Sequence, residues 1–347
     1  MIAERIVLHI GLEKTGTTAI QRALRNAPDR LAEGGAVFDT GFCEAGRPEA
    51  GNALGLVASC LDGRKRAGFL GEFAGRPIPH DFAAWSPEPA DRQPVRIFSS
   101  EHLSSWITEP GEIARLHDFL SKLAPRITVI AYLRRQDRLA QSLLNEAMKA
   151  GATFTWRDLY APIDRAAAKL DFVPVCARYA EIFGPKETVF GVFDRARLEG
   201  GDVVRDFLTR ARLDKIELPP RPDANVALTL EALYLMSLVN DLGAATGAGA
   251  LVPPARAALQ RHGRGRLTYL TSQRARMLLE SHGAANRRLA ALTGRPLFDE
   301  DLSGYPDTKP RLDPERLARL AALPEVRAVL GPLLGGPDSS APRGTDA

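Results

Sequence analysis

His9-Ile10-Gly11-Leu12-Glu13-Lys14-Thr15-Gly16-Thr17-Thr18 follows an apolar, β-prone stretch, Ile6-Val7-Leu8, and precedes a helical pattern with Ala19, Ile20, Ala23 and Leu24 on one side. Strand, glycine-bearing turn and helix is the geometry in which backbone N–H groups and the positive helix end cradle a phosphate. The nucleotide-triphosphate loop has the pattern G-x-x-x-x-G-K-[ST]. Gly11 and Gly16 keep its glycine spacing, but Thr17 stands where that pattern has lysine. The lysine, Lys14, sits earlier, on the turn itself. A displaced lysine argues for a phosphate-type ligand held differently from the β- and γ-phosphates of ATP.

Outward from this turn the chain alternates strands and helices. A strand at about Arg5–Ile10 leads to a helix at about Thr17–Ala32, ended by Gly34-Gly35, and to a short strand at Ala36–Asp39. Residues 41–94 are rich in Gly and Pro and read as short helices and loops, an excursion off the sheet. Val95–Ser99 is strand-like, with a helix around Pro110–Ala124. Ile127-Thr128-Val129-Ile130-Ala131-Tyr132-Leu133 is a continuous apolar run of the kind buried on both faces of a parallel sheet. Helices are expected at Asp137–Ala150, Val173–Phe183 and Asp202–Arg212, and a strand at Thr188–Phe193. The predicted fold is α/β: a doubly wound, P-loop-like parallel sheet of about five strands flanked by helices.

After Pro219-Pro220 the strand patterns stop, and Leu228–Leu242 and Ser272–Leu292 read as helices. The expected organisation is one α/β domain over residues 1–334, with 220–334 as its helical C-terminal part. Residues 335–347 have the composition of a disordered tail.

Composition narrows the function classes. The 347 residues carry 46 Lys+Arg against 42 Asp+Glu, a formal charge of +4. That charge is small and well mixed, which does not indicate a nucleic-acid binder. Cys43, Cys60 and Cys176 are odd in number and lack metal-ligand spacing, so neither a disulfide framework nor a zinc site is expected. With no apolar run near ~20 residues and no leader pattern, the chain reads as cytoplasmic. Peripheral membrane contact remains compatible.

Two further segments carry candidate chemistry. Arg134 leaves the long apolar strand where an open α/β sheet binds its ligands. In the next helix, Arg138, Ser142, Asn145 and Lys149 form one polar stripe. An arginine fork and a serine hydroxyl suit a second phosphate group. The other segment is Phe98-Ser99-Ser100-Glu101-His102-Leu103, again at a strand end. Either Glu101 or His102 suits the general base that an acceptor hydroxyl needs. Glu101 is favoured as the first ionisable group after the strand. The same segment also reads as a simple cap of the next helix.

Lys14-Thr15-Gly16-Thr17-Thr18 after the first strand, with Arg134 and Ser142 eight residues apart after a later one, resembles the sulfotransferases that use 3′-phosphoadenosine 5′-phosphosulfate. Phe193-Asp194-Arg195-Ala196-Arg197-Leu198 loosely resembles a further segment of that family. Asn225–Thr229 and Asn286–Ala290 are similar to segments of its bacterial, carbohydrate-type members. The resemblance implies that Lys14, Thr15, Gly16, Thr17 and Thr18 bind the 5′-phosphosulfate, with N–H groups and hydroxyls from Thr17 and Thr18. It implies that Arg134 and Ser142 bind the 3′-phosphate. Lys14 then also assists the leaving group, and no metal is required. The implied acceptor is a hydroxyl, with an amine as second choice, of a saccharide or glycolipid. Two rivals remain: a small-molecule kinase with a phosphate loop, and a non-catalytic nucleotide- or glycan-binding protein of the same fold. Trp85, Trp106 and Trp156 invite comparison with a sugar-stacking platform, though buried packing is the commoner role of tryptophan.

Overall fold

A computed structural model of the protein describes residues 1–43, 52–73, 76–83, 85, 92–155, 158, 160–165, 167–219, 227–246, 249–267 and 269–331, without the side chains of Ala244 and Thr246. Trp156, Asn225, Val226 and the expected tail at 335–347 lie outside the described residues. The chain divides into two compact units. A sheet unit comprises Met1–Arg135, Asp171–Pro222 and His282–Asp299, and a helical unit comprises Gln136–Leu170, Asp223–Ser281 and Glu300–Ala347.

The sheet unit begins with β1 (Arg5–His9), α1 (Thr17–Arg25), α2 (Pro28–Glu33) and β2 (Ala36–Phe38). The single helix expected over Thr17–Ala32 is broken, because Pro28 has no N–H to continue the ladder and starts a helix afresh. Next come α3 (Leu54–Cys60), α4 (Gly63–Glu72), β3 (Val95–Ser99), α5 (His102–Ser105), α6 (Pro110–Leu123) and β4 (Ile127–Leu133). Within the helical unit, α7 (Gln136–Lys149) and α8 (Ala161–Arg165) follow, before the chain re-enters the sheet unit as α9 (Val173–Phe183), β5 (Thr188–Val192) and α10 (Val203–Arg210).

The five strands are all parallel, in the order β2-β3-β1-β4-β5. From β1 the chain goes out to β2, returns through β3 and crosses β1 to continue as β4 and β5. The carboxyl ends around the central β1 are therefore the topological switch point, where such sheets bind ligands. β4 is buried along its length except for Thr128, as its unbroken apolar run requires of a strand covered on both faces. Ile20 and Leu24 of α1 join Phe207 and Leu208 of α10 over Val7, Ile97 and Ile130 in one core. Each such side chain contributes ~1.5–3 kcal/mol on burial. Beneath them, Tyr132 donates to Asp206 at 2.6 Å, and Asp206 also pairs with Arg210.

The helical unit adds α11 (Leu230–Thr246), α12 (Val252–His262) and α13 (Ser272–Ser281). After α14 (Gly283–Thr293), a sheet-unit helix, it closes with α15 (Pro314–Ala321) and α16 (Pro324–Leu330). The helix expected over Ser272–Leu292 is thus two helices, parted at His282 and assigned to different units. Polar side chains tie the helical unit together. Asn240 of α11 donates to the carbonyls of Met148 and Ala152 at 3.0 and 2.7 Å, which gives the C-terminal end of α7 the partners that helix ends lack. Ser237 both accepts from the N–H and donates to the carbonyl of Phe154. Among the described residues no helix is long and apolar enough to cross a membrane.

Candidate active site

The turn after β1 folds as its glycines dictate. Gly11 and Gly16 have φ of 90° and 87°, the left-handed region that side chains resist. Each glycine also admits a neighbour that a Cβ would displace. At Gly11 a Cβ would lie 2.9 Å from the Glu101 Cα, and at Gly16 one would lie 2.8 Å from Phe193 Cε2. The turn is therefore seated between the end of β3 and the residue following β5. Lys14 lies at its crest, half-buried and itself left-handed at φ 61°.

Gly16 is the N-cap of α1 and offers no side chain to the helix start. Ala19 and Ile20 donate their N–H groups to the Gly16 carbonyl. Among the described residues none accepts from the N–H of Gly16, Thr17 or Thr18. Three backbone donors at the positive end of a nine-residue helix make an anion cradle. Two of the threonine hydroxyls have partners within the turn. Thr15 donates to the Leu12 carbonyl at 2.6 Å and Thr17 to the same oxygen at 3.4 Å, so these buried hydroxyls brace the turn. Thr18 is exposed.

Arg134 reaches the turn from the end of β4. Its Nη1 donates to the Lys14 carbonyl at 3.2 Å, and its guanidinium lies 5.4 Å from the centroid of the Phe193 ring. Phe193 thus supports Gly16 and Arg134 together. Its neighbour Arg135 is buried and ion-paired with Asp299, and Arg197 donates to the Leu297 carbonyl. The strap 297–299 so holds both the β4 and β5 ends. Nothing local to Arg135 in the sequence marks a partner 164 residues away.

Glu101 is the residue before α5, and its side chain makes no capping bond. The capping reading of this segment applies to Ser100 instead, whose Oγ accepts from the His102 N–H at 3.2 Å. His102 stands edge-on to Phe69 and Phe73 at 5.7 and 5.6 Å, and Phe69 packs on Trp106 at 5.2 Å. Burial lowers the His102 pKa, with the nearby Glu13 pulling the other way. A neutral imidazole in an aromatic wall, directly after Glu101, results. This wall, contributed by α4 and α5, has no counterpart in the sequence reading. A period of four between Phe69 and Phe73 is its only trace there.

Of the three tryptophans, the two among the described residues stand in different surroundings, while Trp156 lies outside them. Trp85 stacks on Phe42 at 5.5 Å and takes the Arg96 guanidinium at 5.6 Å, whereas Trp106 belongs to the Phe69 wall. Ser142 lies on α7 in the helical unit, half-buried, and Asn145 of the same stripe is buried, so this is not a solvated face.

Below the turn, His9 lies fully buried in β1. Its Nδ1 hydrogen-bonds Ser99 Oγ at 2.8 Å, and Gln21 of α1 donates to the carbonyl and hydroxyl of Ser99. Burial drives the His9 pKa down to about 3. The three cysteines are free and buried, Cys43 being pushed up to about 12 by burial. Among the described residues no group of three or more His, Cys, Asp or Glu has the arrangement to hold a metal ion.

Comparison with protein-family descriptions finds no match, and comparison with curated proteins finds none either. Among solved structures the chain is similar to a sulfotransferase from Alicyclobacillus acidocaldarius. Identity is 15%, the TM-score is 0.41, and the match covers 87% of this chain and 98% of that one. So remote a likeness assigns no role to any residue, and the functional reading rests on this chain's own side chains.

Proposed function

We propose that the protein is a sulfotransferase that moves a sulfuryl group from 3′-phosphoadenosine 5′-phosphosulfate to a hydroxyl of a saccharide or glycolipid. The observation that carries the reading is the cradle of unclaimed N–H groups at Gly16, Thr17 and Thr18, flanked by Lys14 and Arg134 and abutting Glu101. The cradle fits a phosphate-type group, since its three N–H groups meet at the positive end of α1. Lys14 is carried by the turn, off the helix start where a triphosphate loop places its lysine.

In this reading the acceptor oxygen bonds to sulfur as the bond from sulfur to the 5′-phosphate oxygen breaks. The Glu101 carboxylate takes the acceptor proton. The electron pair leaves with the 5′-phosphate oxygen, where Lys14 and the N–H groups stabilise the growing charge. His102 is the second candidate base, because its lowered pKa keeps the imidazole neutral and able to accept a proton. Arg134 anchors the 3′-phosphate. Ser142 joins it on the strength of the sequence pattern alone. The half-buried rings of Phe73 and Trp106 offer an apolar face for the C–H side of a sugar.

Thermal unfolding tests the reading. Adenosine 3′,5′-bisphosphate at 100 times its dissociation constant adds ~2.7 kcal/mol of stability. The expected result is stabilisation by the bisphosphate that disappears in Arg134→Ala. Stabilisation by ATP–Mg²⁺ and not by the bisphosphate would overturn the reading in favour of a kinase. Sulfation of saccharide acceptors, with Glu101→Gln and His102→Gln compared, then separates enzyme from binder and identifies the base.

A further inference from the structure

The helical unit holds a cleft of about 430 Å³ that the sulfuryl-transfer reading does not use. Its floor is apolar, made by Leu230, Pro306 and Pro310. Four cationic side chains, Arg266, Lys309, Arg311 and Arg316, line it against two carboxylates, Glu231 and Asp313. Both carboxylates are committed within the fold. Glu231 is only 4% exposed, accepts from the Asp313 N–H at 2.9 Å and faces Arg316 at 3.5 Å. Asp313 caps α15 by accepting from the N–H groups of Glu315 and Arg316, and those bonds hold its pKa below the ordinary carboxylate value. Arg266, Lys309 and Arg311 are exposed. The positive charge is therefore at the mouth, Glu231 is paired with Arg316 beneath it, and the exposed Asp313 is engaged in its helix cap.

The walls are pre-formed. Arg266 donates to the Gly304 carbonyl at 2.9 Å. Ser272 holds the same segment a little further on, through the Pro306 carbonyl at 2.8 Å and Asp307 at 2.7 Å. Rigid walls lower the ordering cost of binding.

From this geometry we infer a second binding site, for an acidic saccharide. Exposed cations meet carboxylate or sulfate groups, and the proline and leucine floor meets the apolar ring faces. A cavity of this size lies in the range of small-ligand sites, ~300–1,000 Å³. Single-stranded nucleic acid is the less fitting polyanion: among the described residues no aromatic side chain lines the cleft to stack a base, and the net charge of the chain is only +4.

The experiment is calorimetric titration of the full chain with tetragalacturonic acid. Cellotetraose, of similar length but uncharged, and a short oligothymidine serve as comparisons. The acidic tetrasaccharide binds, more weakly as salt rises, and cellotetraose does not. Arg311→Glu weakens binding by about tenfold or more, the equivalent of losing one charge-assisted contact. Arg266→Gln does so to a lesser degree, and both variants keep the wild-type circular dichroism. Lys14→Ala binds the acidic sugar as the parent does, so the outcome here is separable from that of the sulfuryl-transfer reading. Absence of binding, equal binding of cellotetraose, tighter binding of oligothymidine, or unchanged affinity in Arg311→Glu each overturns the assignment.

Discussion

The turn after β1 and the cleft of the helical unit are both arranged for anions, yet they are made from different materials. At the turn the donors are backbone N–H groups of Gly16, Thr17 and Thr18, held by left-handed glycines within one short segment. In the cleft they are side chains, Lys309, Arg311 and Arg316 from one segment and Arg266 from another. A backbone site depends on local geometry and leaves a contiguous pattern in the sequence. A side-chain site that draws on two segments depends on the fold bringing them together, and that pairing leaves none. The first is also tied to the core, through Gly11 on Glu101 and Gly16 on Phe193, whereas the second has its cations at the surface.

The comparison is most sharply tested by removing Lys14. Lys14→Ala is expected to slow sulfuryl transfer by ~10²–10³, as loss of one preorganised donor does, and to leave the cleft untouched. Steady-state kinetics with the donor varied checks this. A loss under fivefold would show that the backbone cradle alone carries the leaving-group charge.

Acid should act on the turn from beneath. His9 titrates at about 3 in the folded protein against 6.5 when free. Its contribution to stability is fully present above pH 6.5 and is lost as pH falls towards 3, because between those values the unfolded chain binds the extra proton. At pH 5 the loss is about 2 kcal/mol. Urea unfolding at pH 7.5 and 5.0 measures it, and His9→Gln should remove most of the difference. An equal pH dependence in that variant would assign the effect to other groups.

The smallest effect is expected at Gly16. Gly16→Ala forces a side chain into the left-handed region, at ~1–2 kcal/mol, and presses on Phe193. Its unfolding midpoint should fall and bisphosphate affinity should fall with it. Unchanged affinity in a folded variant would separate the cap geometry from binding.

How much of this was legible before folding follows from the same distinction. The strand Ile127–Leu133 announced itself by unbroken apolarity, and the structure keeps those boundaries. The strand-like stretch Val95–Ser99, interrupted by Arg96, also keeps its boundaries. The helix start at Thr17 was marked by Gly16, but Pro28 was passed over as a break, because periodic apolar residues on either side masked a local backbone constraint. Lys14, Gly16, Arg134 and Glu101 were picked out as candidates from strand ends and spacing. Arg134 against Lys14 and Glu101 against Gly11 are contacts of the folded sheet unit. Phe193 as a shared support, the Phe69–Phe73–Trp106 wall and the Arg135–Asp299 strap were not legible. Each depends on a partner chosen by packing.

The sequence by itself determined the parallel α/β fold and the backbone cradle, because both follow from local rules: hydrophobic period, glycine conformation and the polarity of a helix end. Only the tertiary structure decided which side chains surround that cradle, which hydroxyls brace it, and that a cationic cleft forms in the helical unit. Those outcomes depend on long-range burial, where an arginine's partner is whatever carboxylate, carbonyl or ring the fold delivers to it.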